Sequence, residues 1–164
     1  ADTILTKHSS MDDIVFIGIL KGGFMLLSDL LKHYKRPQQV EVEFIYVKTY
    51  DEKTNTKLSK DKVEPYFVGI VDKDSFVNKH IYVIEDIIES GETINKILKF
   101  LTDYPALSVS VVTLAQRESS TFQVAHNILN VGDEDWLVGY GMDDNGKMRG
   151  YGGLLTKNKN MLWH

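Results

Sequence analysis

Short apolar runs alternate with amphipathic segments along the chain, and this pattern predicts its secondary structure. Residues 14–20 are almost continuously apolar, which is typical of a strand covered on both faces. Residues 24–34 follow with apolar side chains at helical spacing, and residues 40–50 predict a second strand. Further strands are expected at 80–84, 108–115, 128–131 and 136–140, with a helix over 93–104. Strands alternating with amphipathic helices predict an α/β domain with a mostly parallel central sheet flanked by helices.

Residues 48–64 interrupt this pattern with Lys, Asp, Glu, Thr, Asn and Ser and with scarcely an apolar side chain. A polar stretch of this length inside a compact domain is either disordered or a functional lid. The composition fits both interpretations equally well.

Length and composition restrict the class of protein. A chain of 164 residues fits one domain (1–164) that buries a core without disulfides, and it has no cysteine. The formal net charge is −4 with no basic block, which argues against nucleic-acid binding as the main task. No apolar run approaches the roughly 20 residues that a membrane span needs, and residues 1–3 are not signal-like, so we expect a cytoplasmic protein.

The strongest chemical signal lies at residues 83–93, where two acids follow an apolar strand and a turn with two hydroxyl groups opens a helix. Backbone N–H groups and the hydroxyls of Ser90 and Thr93 suit a phosphate at the helix start. The carboxylates of Glu85 and Asp86 suit ribose hydroxyls or a metal ion. The alternative is an ordinary strand-to-helix loop in which Ser90 or Thr93 caps the helix.

Ligands of parallel sheets bind at the carboxyl ends of the strands. Six side chains of the predicted elements are therefore expected along that edge: Lys21, Tyr50, Asp86, Glu89, Gln116 and Asp143.

Residues 83–93 closely resemble the phosphoribosyl pyrophosphate signature of the hypoxanthine-guanine phosphoribosyltransferases. Residues 20–23 resemble that family's pyrophosphate loop, and Thr49-Tyr50 resembles the head of its mobile catalytic loop. Residues 136–143, followed by Arg149, resemble its purine-stacking and metal-binding segment. The motifs follow one another in the family's order from about residue 14 to residue 149. The resemblance implies the type I phosphoribosyltransferase fold, with a small hood beside the central sheet.

The resemblance also implies roles for individual residues. Contacts with phosphoribosyl pyrophosphate and a purine base are implied for Leu20, Lys21, Gly22, Glu85, Asp86, Glu89, Ser90, Gly91, Glu92, Thr93, Gln116, Trp136, Leu137 and Arg149. The implied catalytic residues are Glu89, Tyr50, Lys21 and Arg149, and the implied Mg²⁺ ligands are Glu85, Asp86 and Asp143. A cis peptide bond between Leu20 and Lys21 and a lid formed by residues 48–64 are further expectations.

Three of these assignments have an alternative in the sequence itself. Trp136 in an apolar strand is also typical of a core residue, and Asp143 in the polar run 143–146 is also typical of a turn. Arg149 is equally consistent with an exposed cation of a loop.

Three residues depart from the family pattern. Glu92 adds a negative charge beside the presumed 5′-phosphate, at a position that the family fills variably. Glu89 stands where the family has an aspartate, the proposed base near purine N7, and Gln116 stands where it has a lysine that donates to the purine 6-oxygen. A glutamine amide donates through nitrogen or accepts through oxygen, so the preference between 6-oxopurines and 6-aminopurines stays open. The region before residue 14 also looks short for a family whose members carry a helix ahead of the first strand, so residues could be missing there.

The resemblance implies a Mg²⁺-dependent purine salvage enzyme that acts as a homodimer or homotetramer. It would convert a purine base, hypoxanthine or guanine, and phosphoribosyl pyrophosphate to a nucleoside monophosphate and pyrophosphate. A second hypothesis is a catalytically weak protein of this fold that binds nucleotide or phosphoribosyl pyrophosphate for regulation. A third is an unrelated α/β nucleotide-binding or interaction module, which predicts no ordered site joining Lys21, Glu89 and Trp136.

Overall fold

A computed structural model describes residues 1–47, 64–156 and 161–163 of the chain. The helices are α1 (Asp2–Lys7), α2 (Phe24–His33) and α3 (Glu92–Leu101), with 3₁₀ turns at Pro37–Gln39 and Lys73–Phe76. The strands are β1 (Asp13–Leu20), β2 (Val40–Val47), β3 (Pro65–Phe67), β4 (Lys79–Ile88), β5 (Ser108–Arg117), β6 (His126–Val131), β7 (Leu137–Val138), β8 (Leu154–Thr156) and β9 (Met161–Trp163). No helix among the described residues is long and apolar enough to cross a membrane.

Six strands form one sheet in the order β3-β2-β1-β4-β5-β6. Strand β1 pairs in parallel with β2 and β4, and the parallel ladder continues through β5 to β6. The short edge strand β3 runs antiparallel to β2. The predicted α/β domain with a mostly parallel sheet is therefore confirmed. Strands β7, β8 and β9 form a separate antiparallel sheet, which we equate with the small hood.

The central strands are apolar because both faces of the sheet are covered. Phe16 of β1 belongs to the core layer that includes Leu27 of α2. The next residue of β1, Ile17, belongs to the core layer on the opposite face of the sheet, which includes Ile97 of α3. Successive side chains of a strand point to opposite faces, so a buried strand must be apolar at every position. Because β1 and β4 are adjacent and parallel, their carboxyl ends lie side by side at one edge of the sheet.

Several elements differ from the predicted ones in ways that affect the site. Strand β4 continues to Ile88 instead of ending at residue 84, and β5 runs to Arg117 rather than to residue 115. The strand predicted over residues 136–140 is reduced to Leu137–Val138. A short helix, α1, precedes β1 in a region where the sequence analysis placed none.

Candidate active site

The carboxyl ends of β1, β4 and β5 bring the first predicted site residues to one edge. Lys21 follows β1, and Gln116 lies near the end of β5. Glu85 and Asp86 were predicted to follow β4, but both residues belong to the strand. The strand continues past them because Ile88 still pairs with Gln116 of β5.

Glu85 and Asp86 are neighbours with different surroundings. Glu85 is 7% exposed, and its Oε1 accepts a 3.1 Å hydrogen bond from the backbone N–H of Asp86. Burial, and after it the neighbouring charge of Asp86, raises the pKa of Glu85 well above its ordinary value. Asp86 is half-buried, and its Oδ1 accepts a 2.9 Å hydrogen bond from the N–H of Ile87. Asp86 is therefore the more accessible acid of the pair.

The predicted pyrophosphate loop packs tightly against β4. The Leu20–Lys21 peptide bond is cis, which confirms the expectation from the resemblance. A Cβ atom added to Gly22 would overlap the Asp86 carboxylate. One added to Gly23 would lie 2.5 Å from the carbonyl oxygen of Ile84. Both positions are buried, and only glycine lets the loop approach the strand so closely.

The segment after β7 closes the other side of this loop. Gly141 has a φ of +100°, and a Cβ atom there would overlap the carbonyl oxygen of Gly22. Arg149 donates a 2.7 Å hydrogen bond to the carbonyl oxygen of Gly141 and pairs with the Asp143 carboxylate. Asp143 also accepts a 2.7 Å hydrogen bond from the N–H of Gly146, so it is a turn residue as well as an ion-pair partner. With 28% of its side chain exposed, Arg149 is held against the site and is not merely an exposed loop cation.

A long-range hydrogen bond ties the same segment to α2. Tyr140, with a φ of +47°, donates a 2.6 Å hydrogen bond to Oδ2 of Asp29. This hydrogen bond is the largest cause that lowers the pKa of Asp29, and burial raises the pKa of Tyr140. Because α2 begins directly after the pyrophosphate loop, the pair helps to hold that loop against the Gly141 segment. This pair was not predicted, because its members are 111 positions apart and no local pattern connects them.

The predicted phosphate-binding turn covers residues 89–93. Gly91, with a φ of +80°, is the N-cap residue of α3 and has no side chain with which to cap it. Ser90 Oγ accepts a long hydrogen bond of 3.4 Å from the N–H of Glu92, and Thr93 lies within the first turn of the helix. The capping alternative therefore accounts poorly for this turn. The N–H groups and the positive end of the helix dipole are directed toward it, as an anion site requires.

A polar cavity of about 380 Å³ adjoins this turn, and that volume suits a small ligand. It is lined by Glu89, Ser90, Arg117, Ser119, Ser120, Thr121 and Asp133. The Arg117 guanidinium lies 3.5 Å from Oε1 of Glu89 and donates to the carbonyl oxygens of Gly132 and Asp135 at 2.6 and 2.7 Å. Arg117 is therefore an anchored cation beside an exposed carboxylate. Arg117 was not among the predicted site residues, although its position at the carboxyl end of β5 pointed to the site.

Gln116 is engaged with the loop that follows β5. Gln116 is 8% exposed, and its Nε2 donates a 2.8 Å hydrogen bond to the carbonyl oxygen of Phe122. The Phe122 ring packs on Gly91, where an added Cβ atom would lie 2.7 Å from it. The amide nitrogen of Gln116 has two N–H donors, and it also lies 3.5 Å from the carbonyl oxygen of Ser120. A purine contact by this nitrogen would therefore have to replace only the longer of the two hydrogen bonds.

Trp136 and Leu137 have opposite environments. Trp136 lies just before β7 and is 56% exposed, so the core interpretation of this residue is wrong. Leu137 is 7% exposed and pairs with Thr156 in the small sheet. An exposed indole can stack on a flat ring, which a core tryptophan cannot do.

Two predicted features lie outside the described residues. They are Tyr50 and all but the last residue of the lid predicted at 48–64. Among the described residues, the structure brings the pyrophosphate loop, Asp86, Gly141 and Arg149 into one cluster. Glu89 and Ser90 line the cavity beside it.

Both the sequence and the fold match known proteins. Residues 3–145 match the family model described as the phosphoribosyl transferase domain. The chain is 29% identical over 144 residues to the hypoxanthine phosphoribosyltransferase of Haemophilus influenzae, with 84% of this chain and 73% of that protein covered. It is 32% identical over 145 residues to the hypoxanthine-guanine phosphoribosyltransferase of Staphylococcus aureus, with 85% and 74% covered.

A solved structure shows the same likeness in three dimensions. The crystal structure of a hypoxanthine phosphoribosyltransferase from Staphylococcus aureus matches this fold with a TM-score of 0.74 and 27% sequence identity. The match covers 94% of this chain and 80% of that one. The chain therefore belongs to the phosphoribosyl transferase domain family and has the type I phosphoribosyltransferase fold.

Proposed function

We propose that the protein is a purine salvage phosphoribosyltransferase, which joins hypoxanthine or guanine to phosphoribosyl pyrophosphate and releases pyrophosphate. The observation that carries this proposal is the contact between three motifs that lie far apart in the sequence. They are the loop at Gly22, the acid Asp86 and the segment that holds Gly141 and Arg149. The names of the relatives in Haemophilus influenzae and Staphylococcus aureus support the same reaction.

The sugar pyrophosphate would lie between the phosphate-binding turn and the pyrophosphate loop. The N–H groups at the start of α3 and the hydroxyl of Ser90 suit its 5′-phosphate. The planar guanidinium of Arg149 and the exposed ammonium of Lys21 suit its pyrophosphate. Glu85 and Asp86 suit its ribose hydroxyls, because a carboxyl group accepts hydrogen bonds from a diol.

The carboxylates of this site fit Mg²⁺, which prefers carboxylate oxygens and water as ligands. Asp86 and Asp143 are half-buried. Asp86 contacts Gly22 of the pyrophosphate loop, and Asp143 pairs with Arg149, which is hydrogen-bonded to the Gly141 segment on the other side of that loop. Glu85 is less suited to the metal than predicted, because it is 7% exposed and its Oε1 is hydrogen-bonded to the backbone. A bound Mg²⁺ would neutralise negative charge on the leaving pyrophosphate.

The purine would occupy the side of the turn that carries Glu89. We assign Glu89 as the general base at purine N7, with the Arg117 guanidinium 3.5 Å away to hold the carboxylate in place. Trp136 would stack on the purine, and the backbone of Leu137 would contact its edge. Glutamate carries one methylene more than the family's aspartate, which displaces the carboxylate by roughly an ångström and is expected to slow the reaction.

A panel of purine bases, assayed with phosphoribosyl pyrophosphate and Mg²⁺ by following pyrophosphate release, tests the proposal. Hypoxanthine or guanine should give turnover, and Glu89→Gln should lower kcat by roughly 10² to 10⁴ with little change in sugar-pyrophosphate affinity. Asp103→Asn, which changes an exposed acid after α3, is the matched control and should leave kcat unchanged. A wild-type protein that releases no pyrophosphate with any purine would refute the enzymatic assignment.

A regulatory protein that binds nucleotide or phosphoribosyl pyrophosphate is the second candidate. The observation that favours it is the hydrogen bond from Gln116 to Phe122, which engages one donor of the amide with the protein at the position of the family's lysine. Calorimetry separates the two candidates. Binding of phosphoribosyl pyrophosphate without turnover on the purine panel would support the regulatory protein.

The state of assembly is a separate part of the proposal. We infer a homodimer or a homotetramer from the family resemblance alone. Light scattering at the assay concentration tests this inference, because a monomer has a mass of 18.7 kDa. A mass at that value would contradict it.

A further inference from the structure

A second cluster of potential metal ligands lies at the opposite edge of the central sheet from the proposed active site. It consists of His8 after α1, Asp12 before β1 and His80 at the start of β4. The amino ends of β1 and β4 bring these segments together, since Ile14 is in register with His80. Each residue offers one ligand atom, and the three atoms lie within 4.8 Å of one another.

The separation of the first two ligand atoms matches a tetrahedral metal site. His8 Nδ1 lies 3.4 Å from Oδ2 of Asp12. Two ligands bound tetrahedrally at about 2.0–2.1 Å from a zinc ion are about 3.4 Å apart. The ligand atom of His80 lies within 4.8 Å of the other two, so metal binding would have to draw it closer to reach the tetrahedral separation.

Each proposed ligand is oriented by a hydrogen bond to an outer group. The Nε2 atom of His8 lies 2.6 Å from the hydroxyl of Tyr82, which leaves Nδ1 facing Asp12. His80 Nδ1 lies 2.8 Å from the hydroxyl of Ser108, which leaves its Nε2 for a metal. Imidazole ligands of protein metal sites are held in this way by a partner on the second ring nitrogen.

The acidic ligand and its loop are equally well held. Ser9 donates to both oxygens of the Asp12 carboxylate, through its N–H at 2.9 Å and its hydroxyl at 3.0 Å. Gln39 donates to the backbone carbonyl oxygens of Ser9 and Asp12 at 3.1 and 2.9 Å, and Arg36 donates to that of His8 at 3.1 Å. These contacts fix the loop and leave His8 Nδ1 and His80 Nε2 for a metal, while the third proposed ligand atom, Oδ2 of Asp12, also accepts the hydrogen bond from the N–H of Ser9.

We propose that His8, Asp12 and His80 form a site for a divalent transition metal of the zinc class. Two imidazoles and one carboxylate suit Zn²⁺ better than Mg²⁺, which prefers oxygen ligands. Three protein ligands leave a fourth position for water. The metal links the loop before β1 to β4, so its binding stabilises the fold without touching the proposed active site.

Titration of the metal-free full chain with Zn²⁺ by calorimetry at neutral pH tests the site. We expect one equivalent to bind and the melting temperature to rise, because a ligand of the folded state alone stabilises it. His80→Gln and Asp12→Asn should each weaken the binding by at least tenfold. Two controls should bind as the wild type does: His33→Gln, at an exposed histidine of α2, and Asp86→Asn, at the proposed active site.

Substitution of Co²⁺ provides a second measurement, because the visible absorption of tetrahedral Co²⁺ reports directly on the ligands. This spectrum should be present in the wild-type chain and lost in Asp12→Asn, even if His80→Gln fails to fold. A proton held between His8 and Asp12 is the competing explanation for their contact. Absence of stoichiometric Zn²⁺ binding, or binding that both ligand variants retain, would overturn the metal site and leave the proton as the explanation of the contact.

Discussion

The substitution Gly22→Ala separates the proposed binding role of the pyrophosphate loop from its role in the fold. The new methyl group would overlap the Asp86 carboxylate, which is the far end of a side chain and can rotate away. Rotation breaks the 2.9 Å hydrogen bond from the N–H of Ile87 to the Asp86 carboxylate, and hydrogen bonds to charged groups contribute about 1.5–3 kcal/mol. Asp86 is half-buried, so the rotated carboxylate becomes hydrated, and we expect the net loss to lie below that range, at about 1 kcal/mol. Gly22→Ala should therefore lower the free energy of unfolding only slightly.

The expected effect on ligand binding is larger. Displacing a charged side chain from a ligand costs about 1.5–3 kcal/mol, which corresponds to roughly 10-fold to 150-fold weaker binding. If Asp86 contacts the ribose or its Mg²⁺, calorimetry with Mg²⁺ present should show that loss for phosphoribosyl pyrophosphate. The fold should remain intact, as judged by a cooperative denaturant transition.

Two other glycines provide the matched comparisons. Gly23→Ala places its methyl 2.5 Å from the carbonyl oxygen of Ile84 and 3.0 Å from that of Ile19. Backbone atoms cannot rotate away, so this variant should lose about 1–3 kcal/mol of unfolding free energy, as overpacked cores do. Gly150→Ala meets no atom within 4 Å and should keep both stability and affinity. Gly22→Ala binding as tightly as Gly150→Ala, or unfolding as easily as Gly23→Ala, would refute this reasoning.

Three further predictions concern single side chains. Asp86→Asn should weaken binding of phosphoribosyl pyrophosphate in calorimetry with Mg²⁺ and leave the fold intact; unchanged affinity would remove Asp86 from the site. Tyr140→Phe should lower the free energy of unfolding at neutral pH by about 1 kcal/mol, because Asp29 loses its main partner. The pKa of Asp29 in the folded state lies below its ordinary value of 3.8. The difference in free energy of unfolding between Tyr140→Phe and the wild type should therefore shrink as the pH of the denaturation series falls through that pKa. Gln116→Lys should raise kcat/KM for hypoxanthine relative to adenine, because an ammonium donates to a 6-oxygen and cannot accept from a 6-amino group; an unchanged ratio would show that the ammonium stays on the Phe122 carbonyl.

The elements that the sequence predicted well are those determined by local periodicity. Strand β1 begins one position earlier than predicted, at Asp13, and α2 ends at His33 instead of residue 34. Strand β4 was predicted to end at residue 84 because two adjacent acids, Glu85 and Asp86, are typical of the start of a loop. The ladder to β5 keeps these acids in the strand, and a long-range ladder of this kind cannot be seen in local composition. The short strands β3, β8 and β9, which depend on such pairings, were not predicted for the same reason.

The environment of Trp136 shows a different limit of sequence reasoning. Its apolar neighbours predicted a strand over residues 136–140, whereas the strand is only Leu137–Val138. Gly139 and Gly141 have positive φ angles and end the ladder, and Trp136 lies before it and is exposed. Two glycines in a short apolar run are therefore better evidence for a turn than the run is for a strand.

Around the loop after β5, the sequence identified individual site residues but not the contacts between them. Gln116 was identified as a departure from the family, yet its hydrogen bond to Phe122 depends on how residues 118–125 fold back. The same Phe122 packs on Gly91 of the phosphate-binding turn, and Arg117 pairs with Glu89 in that turn. The loop thus contacts both the position that would read the base and the turn that would hold the 5′-phosphate. If Gln116 contacts the purine as proposed, we therefore expect base preference to depend on the loop and residue 116 together, because a change in either one alters what the other can contact.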